Sequence, residues 1–275
     1  MSFFDRLADR IDAVDSLLCV GLDPVPDRLP PEVADADLPR WAFNRRIIDQ
    51  THEYVAAYKP NIAFYEDYRG WQSLAETIAY ADGKGVPIIL DAKRGDIGHT
   101  ARQYARLLDP EPWGLKNASP DAITVNPWLG EDSLQPFLDR PDKGVFILCR
   151  TSNAGGSDIQ SCQLASGVPV YEHVAKLAQE WDRTGTVGLV VGATVPEELE
   201  SLRALVPSIP FLVPGVGAQG GDIEAAVTAG PADGVGIINS SRGVIYAGEE
   251  SEHFFKAAGA SARRLHHQLN EFRER

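Results

Sequence analysis

The stretch Ile88-Ile89-Leu90-Asp91-Ala92-Lys93-Arg94-Gly95-Asp96-Ile97-Gly98 decides how this chain is read. It opens as an apolar, β-branched run of the kind that fills a buried strand, and it ends in charge. Side chains alternate across a strand, so Ile89, Asp91 and Lys93 are expected on one face, with a carboxylate and an ammonium sharing its end. Asp96 follows Lys93 where strand gives way to loop, and a helical pattern (Ile97, Thr100, Ala101, Tyr104) begins there. Charges buried without partners cost several kcal/mol each. Such a cluster is either structural, with Asp91 and Lys93 as an ion pair and Asp96 as a helix N-cap, or it is a working site.

Outward from this stretch, strand-like runs alternate with runs of helical period. The strand candidates are 17–22, 56–63, 86–93, 122–126, 144–149, 187–191, 210–214 and 234–239. Helical patterns fall at 40–54, 66–83, 97–108, 132–138, 169–183, 196–205, 221–229 and 252–272, with an extra helix at 3–14 before the first strand. Eight strand–helix units predict a closed (β/α)8 barrel formed by the whole chain, 1–275, as one domain. An open dinucleotide-binding sheet would place G-x-G-x-x-G after its first strand, whereas Gly215-Val216-Gly217 follows the seventh. No linker or low-complexity segment divides the chain, and the long irregular stretches 24–39, 109–120 and 151–167 read as loops.

In such a barrel the C-terminal strand ends converge on one mouth, and these ends are polar here. The first carries Asp23, the second Lys59, the third Asp91, Lys93 and Asp96, the fourth Asn126, and the fifth Thr151, Ser152 and Asn153. Opposite charges from separate strands in one neighbourhood favour a site over unrelated ion pairs. The seventh end, from Pro214 to Gly221 with Gln219 inside it, and the eighth, with Ser240, Ser241 and Arg242, have the make-up of a phosphate grip. Glycines let backbone N–H groups approach an anion, and a guanidinium matches phosphate oxygens.

Net charge is −13, which argues against nucleic-acid binding. The cations comprise 7 Lys against 19 Arg, facing 39 acids. That balance predicts a protein suited to high salt, where self-repulsion is screened. The cysteines Cys19, Cys149 and Cys162 are odd in number and lack metal spacing, so they read as reduced thiols of a cytoplasmic protein. The start Ser2–Leu7 reads as amphipathic and charged and not as a signal peptide, and no apolar run approaches the ~20 residues of a membrane span.

The segment Asp91-Ala92-Lys93-Arg94-Gly95-Asp96-Ile97-Gly98, with Lys59 one strand earlier and Pro214-Gly215-Val216-Gly217-Ala218-Gln219-Gly220-Gly221 later, resembles the orotidine 5′-phosphate decarboxylase family in its longer bacterial and archaeal form. The Thr151-Ser152-Asn153 loop agrees, and the resemblance runs from about Leu18 to Ala247. It implies conversion of orotidine 5′-phosphate to uridine 5′-phosphate in de novo pyrimidine synthesis, without metal or other cofactor, by a homodimer with shared active sites. The family's alternating array maps onto Lys59, Asp91, Lys93 and Asp96, the last supplied by the neighbouring subunit, with Thr100 also reaching across. Asp23 and Lys59 match groups that hold ribose hydroxyls, Gln219 and Arg242 the phosphate grip, and Ser152 the serine that reads the pyrimidine; Ile97 and Pro214 join the substrate-binding set. Ser241 stands where the short form has glycine.

The residues suit that chemistry. Loss of CO2 from C6 leaves a carbanion without an electron sink, which a preorganised ammonium at Lys93 can face and then protonate. A metal-dependent sugar-phosphate decarboxylase or aldolase of the same suprafamily shares the Asp-x-Lys strand, and sensitivity to EDTA separates the two. A non-catalytic nucleotide-binding barrel would bind orotidylate without turning it over. His99, one turn into the third helix, reads as a surface or interface residue.

Overall fold

A computed structural model describes residues 1–216, 222–249, 251 and 253–273. Among them, parallel strands run in chain order as β1 (Leu18–Gly21), β2 (Ala57–Lys59), β3 (Ile89–Arg94), β4 (Ala122–Val125), β5 (Gly144–Arg150), β6 (Val187–Val191), β7 (Phe211–Pro214) and β8 (Ile237–Ser240). Their spatial order is β2-β1-β8-β7-β6-β5-β4-β3. The two ends of that row meet through parallel bridges, Tyr58 with Ile88 and Asn61 with Asp91. The Tyr58 N–H donates to Pro87 O and the Asp91 N–H to Pro60 O, each at 2.9 Å, so the ring closes as the alternating pattern predicts.

The helices are α1 (Phe3–Val14), α2 (Pro31–Ala34), α3 (Pro39–Thr51), α4 (Tyr68–Gly83), α5 (Gly98–Ala105), α6 (Glu131–Leu138), α7 (Val170–Trp181), α8 (Pro196–Leu205), α9 (Ile223–Ala229), α10 (Arg242–Ile245) and α11 (Phe254–Arg273). Among the described residues, no helix is long and apolar enough to cross a membrane.

The extra helix α1 plugs the N-terminal end of the barrel. A capping box starts it: the Asp5 N–H donates to Ser2 Oγ at 3.2 Å and the Ser2 N–H to Asp5 Oδ2 at 2.8 Å. Phe3 and Phe4 are buried and meet Phe146 of β5 edge-on, with ring centroids 6.0 and 5.6 Å away. Burying each ring stabilises the fold by roughly 1.5–3 kcal/mol. A Cβ on Gly144, the first residue of β5, would stand 2.3 Å from the Phe3 ring, so glycine makes room for the plug. With that end sealed, the polar groups at the opposite end surround the open mouth.

Several expected boundaries shift for local reasons. The second strand stops at Lys59 instead of reaching residue 63, because Pro60 offers no N–H. The chain then turns into a 3₁₀ segment, Ile62–Phe64, where the Asn61 side chain accepts from the Ala63 N–H at 3.1 Å. The helix after β3, α5, starts at Gly98, and its N-cap is Ile97, not Asp96. Asp96 Oδ1 accepts only its neighbour's N–H, that of Ile97 at 2.8 Å, so the N-cap alternative for this acid fails. The short helix α2 lies within the stretch 24–39 read as a loop, and α10 follows the eighth strand where no element is expected; each is too brief to show a helical period.

Candidate active site

Asp91 stands at the centre of the barrel mouth. It is 7% exposed, and its two oxygens are held separately. Lys59 Nζ donates to Oδ2 at 2.8 Å, and Lys93 Nζ to Oδ1 at 2.6 Å. Thr124 Oγ1, from β4, also donates to Oδ1 at 2.8 Å. Burial alone would raise the Asp91 pKa, but Lys59 and Lys93 outweigh it and hold the carboxyl far below its ordinary range. Burial likewise disfavours the Lys59 ammonium, yet the charges of Asp91 and Asp23 keep its pKa above the ordinary lysine value. Cys19, buried behind this cluster on β1, has its thiol pushed up to about 12 by burial, so it is inert as a nucleophile.

Strict alternation along β3 does not reach Lys93. Leu90 pairs with Ile123, but the next pair is Arg94 with Val125, so the register shifts between them. Lys93 sits in the left-handed region at φ 48°, inside a bulge that lifts its side chain to 47% exposure at the mouth. Its ammonium still returns to Asp91. Among the described residues, no Asp96 oxygen lies within ion-pair distance of Lys93; one chain supplies Asp91 alone. The resemblance takes Asp96 from the neighbouring subunit, so the array of one chain ends at Lys93.

The second half of the site lies across the barrel. Asp23, Lys59, Ser152, Pro214, Asn239 and Arg242 line a cavity of about 190 Å³ with Ser240, Ser241 and the Gly215–Val216 backbone. Lys59 belongs both to this cavity and to the Asp91 cluster, and so joins the two halves. Asp23 accepts from the Asn61 N–H at 3.2 Å and from Ser241 Oγ at 2.7 Å. The chain beyond it is clamped by Tyr246, whose hydroxyl accepts from the Val25 N–H at 2.7 Å. Arg28 lies over the Tyr246 ring at 3.8 Å and pairs with Glu249. Among the described residues, Arg242 has no ion-pair partner, although acids outnumber cations in the chain. Larger hollows of about 610 and 770 Å³ lie between α3 and α11 and between α5 and α6, but those are open grooves on the outer helices.

Ser152 is carried by a stiffened loop. Arg150, at the end of β5, pairs with Glu198 at 2.6 Å, and Gln160 folds back to accept from the Thr151 N–H at 2.9 Å. A Cβ on Gly192 would come within 2.9 Å of Ser152, so glycine at the end of β6 permits this approach. Ile97 and Thr100 are exposed at the start of α5, away from this chain's own cavity. Gln219 lies outside the described residues. Three residues of the mouth were not singled out from sequence for these positions: Thr124, Asn61 and Asn239. Asn239 is buried on β8, and its amide oxygen has no partner among the described residues, which leaves it to a ligand donor. Nothing in a lone threonine or asparagine inside an apolar run marks it before the barrel closes. Among the described residues, no group of three or more His, Cys, Asp or Glu side chains is placed to hold a metal ion.

The model of the orotidine 5′-phosphate decarboxylase / HUMPS family matches residues 16–256. The chain belongs to that family. Among curated members, the orotidine 5′-phosphate decarboxylase of Haloarcula marismortui is 64% identical over 281 residues, covering 99% of this chain and 100% of the relative. That of Ralstonia nicotianae is 47% identical over 278 residues, with the same coverage. Among solved structures of the family, Leishmania donovani OMP decarboxylase superposes with a TM-score of 0.83 at 41% identity, covering 100% of both chains.

Proposed function

We propose that this protein decarboxylates orotidine 5′-phosphate to uridine 5′-phosphate in pyrimidine synthesis. The observation that carries the reading is the Lys59–Asp91–Lys93 chain of ion pairs, set beside a small cavity lined by Arg242, which has no ion-pair partner among the described residues, in a member of this family. The phosphate enters the cavity at Arg242 and the 215–216 backbone, with Gln219 completing the grip. Asp23 and Lys59 take ribose hydroxyls, Pro214 and Ser152 bound the ring, and the pyrimidine extends past Lys59 toward Lys93. Phosphate binding is remote from the reacting carbon, so its energy is available to hold the ring in place.

The C6–carboxylate bond breaks, CO2 leaves, and the electron pair stays on C6. The Lys93 ammonium faces that charge throughout and then gives a proton to C6. Asp91 keeps the amine charged and aimed before the reaction starts, so little reorganisation is needed when charge develops. Its proximity to the departing carboxylate adds like-charge repulsion, a smaller contribution than the lysine's. No metal or organic cofactor takes part in this scheme.

The reading includes a cytoplasmic homodimer. Asp96, Ile97 and Thr100 do not line their own chain's cavity, and Ile97 and Trp128 are 58% and 71% exposed. A second subunit covering this rim would bury that apolar surface and bring its Asp96 to the partner's Lys93.

Turnover of orotidylate, followed by its absorbance change, tests the function directly and should survive EDTA. Lys93→Ala should lower turnover at least ~10³-fold, the scale of a lost acid plus a lost charge stabiliser. A variant retaining a tenth of the activity removes Lys93 from the role.

A further inference from the structure

We propose that Thr124 is a positioning residue for this reaction, its single hydroxyl holding the β3 bulge in register with the Asp91 carboxylate. The pairing of β3 with β4 shows why a special group is needed. Leu90 faces Ile123 and Arg94 faces Val125, so Asp91, Ala92 and Lys93 all stand opposite Thr124. Two residues more than the ladder can pair are looped out, and the Lys93 N–H loses a strand partner. Thr124 Oγ1 accepts from that N–H at 2.9 Å. The same oxygen donates to Asp91 Oδ1 at 2.8 Å, the oxygen that also receives Lys93 Nζ at 2.6 Å.

Chemistry fixes the direction of both bonds. A backbone N–H cannot accept, and an ionised carboxylate cannot donate. The threonine proton must therefore point at Asp91 and its lone pair at Lys93. One side chain thus ties the backbone of the ammonium residue to the carboxylate that aims its head. Lys93 occupies a left-handed conformation that a non-glycine residue holds only when its surroundings impose it. Thr124 is 1% exposed, and its β-branch restricts it to few rotamers, so it can impose that geometry.

The inference rests on Lys93 as the group facing C6, which the Lys93→Ala measurement tests on its own. Thr124→Val keeps the shape and removes the hydroxyl; Thr124→Ser keeps the hydroxyl and removes a methyl. Thr124→Val should lower kcat by about 10²-fold with little change in KM, the scale of a misplaced catalytic group. Thr124→Ser should keep kcat within about 3-fold of the unaltered chain, since both hydrogen bonds survive. Equal losses in the two variants, a loss confined to KM, or a Val variant with unchanged kcat would overturn the proposal while leaving the Lys93 assignment standing. If the Val variant does not fold, the Ser variant still decides: a large fall in its kcat overturns the role, and near-normal kcat upholds the hydroxyl as the part that matters.

Discussion

Ser241 Oγ donates to Asp23 Oδ2 at 2.7 Å, joining the end of β8 to the end of β1 beside the cavity. The same hydroxyl lies 3.2 Å from Gly21 O, and a Cβ on Gly21 would stand 2.6 Å from Ser241 Cβ. The serine at 241 is thus matched by a glycine across the strand pair. Removing the hydroxyl frees one side of the Asp23 carboxylate. Ser241→Ala should weaken uridine 5′-phosphate binding by roughly 2- to 12-fold, the equivalent of one hydrogen bond of ~0.5–1.5 kcal/mol. Calorimetry checks this, and tighter binding would mean that Ser241 competes with the ribose for Asp23.

Arg242 lines the cavity and, among the described residues, has no ion-pair partner. Arg242→Ala should weaken uridine 5′-phosphate by roughly 10- to 150-fold, as expected for ~1.5–3 kcal/mol from hydrogen bonds to a charged group. Uridine, lacking the phosphate, should bind the variant and the unaltered chain equally. A loss that is the same for both ligands would place Arg242 outside the phosphate grip.

Asp96 makes no ion pair with its own chain's Lys93 among the described residues, which makes subunit mixing informative. Lys93→Ala and Asp96→Ala should each be inactive alone. Refolded together in equal amounts, about half the dimers are hybrids and each hybrid holds one intact site, so about a quarter of the activity should return. No recovery on mixing would show that Asp96 serves its own chain.

The Asp91 cluster gives stability a defined pH window. Asp91 has a folded pKa depressed below its unfolded value, so its contribution is present above about pH 4 and is lost as the pH falls toward the folded value. Lys59 has a raised folded pKa, so its contribution is full below about pH 10.4 and is lost as the pH rises through the folded value. Melting temperature should therefore fall at both extremes, and Asp91→Asn should flatten the acid limb. An unaltered acid limb in that variant would show that other carboxylates control acid unfolding.

Much of this protein can be read from its residues because it is written in periodicity. Alternating apolar runs identify the strands and their order, and a right-handed strand–helix–strand repeat leaves few topologies besides a barrel. Charged residues at strand ends are legible for the same reason: a strand's C-terminal end is a position in the sequence. Asp23, Lys59, Asp91, Lys93 and Arg242 occupy such positions, and all gather at the mouth.

Other features follow from contacts between strands far apart in the chain. The bulge at Lys93 depends on register between β3 and β4, and register is set by pairing, not by either strand alone. Thr124 and Asn239 sit in apolar runs where their side chains look like ordinary strand residues, until closure turns one toward Asp91 and the other into the cavity. Asp96 has the spacing of a helix cap or a site acid; α5 takes Ile97 as its N-cap instead, and a single chain forms no ion pair between Asp96 and Lys93 among the described residues. Local pattern determined the barrel and which charges sit at its rim, since burial of apolar surface follows period. Tertiary closure alone decided which oxygen each lysine holds, because those distances are fixed by strands that meet only when the ring is complete.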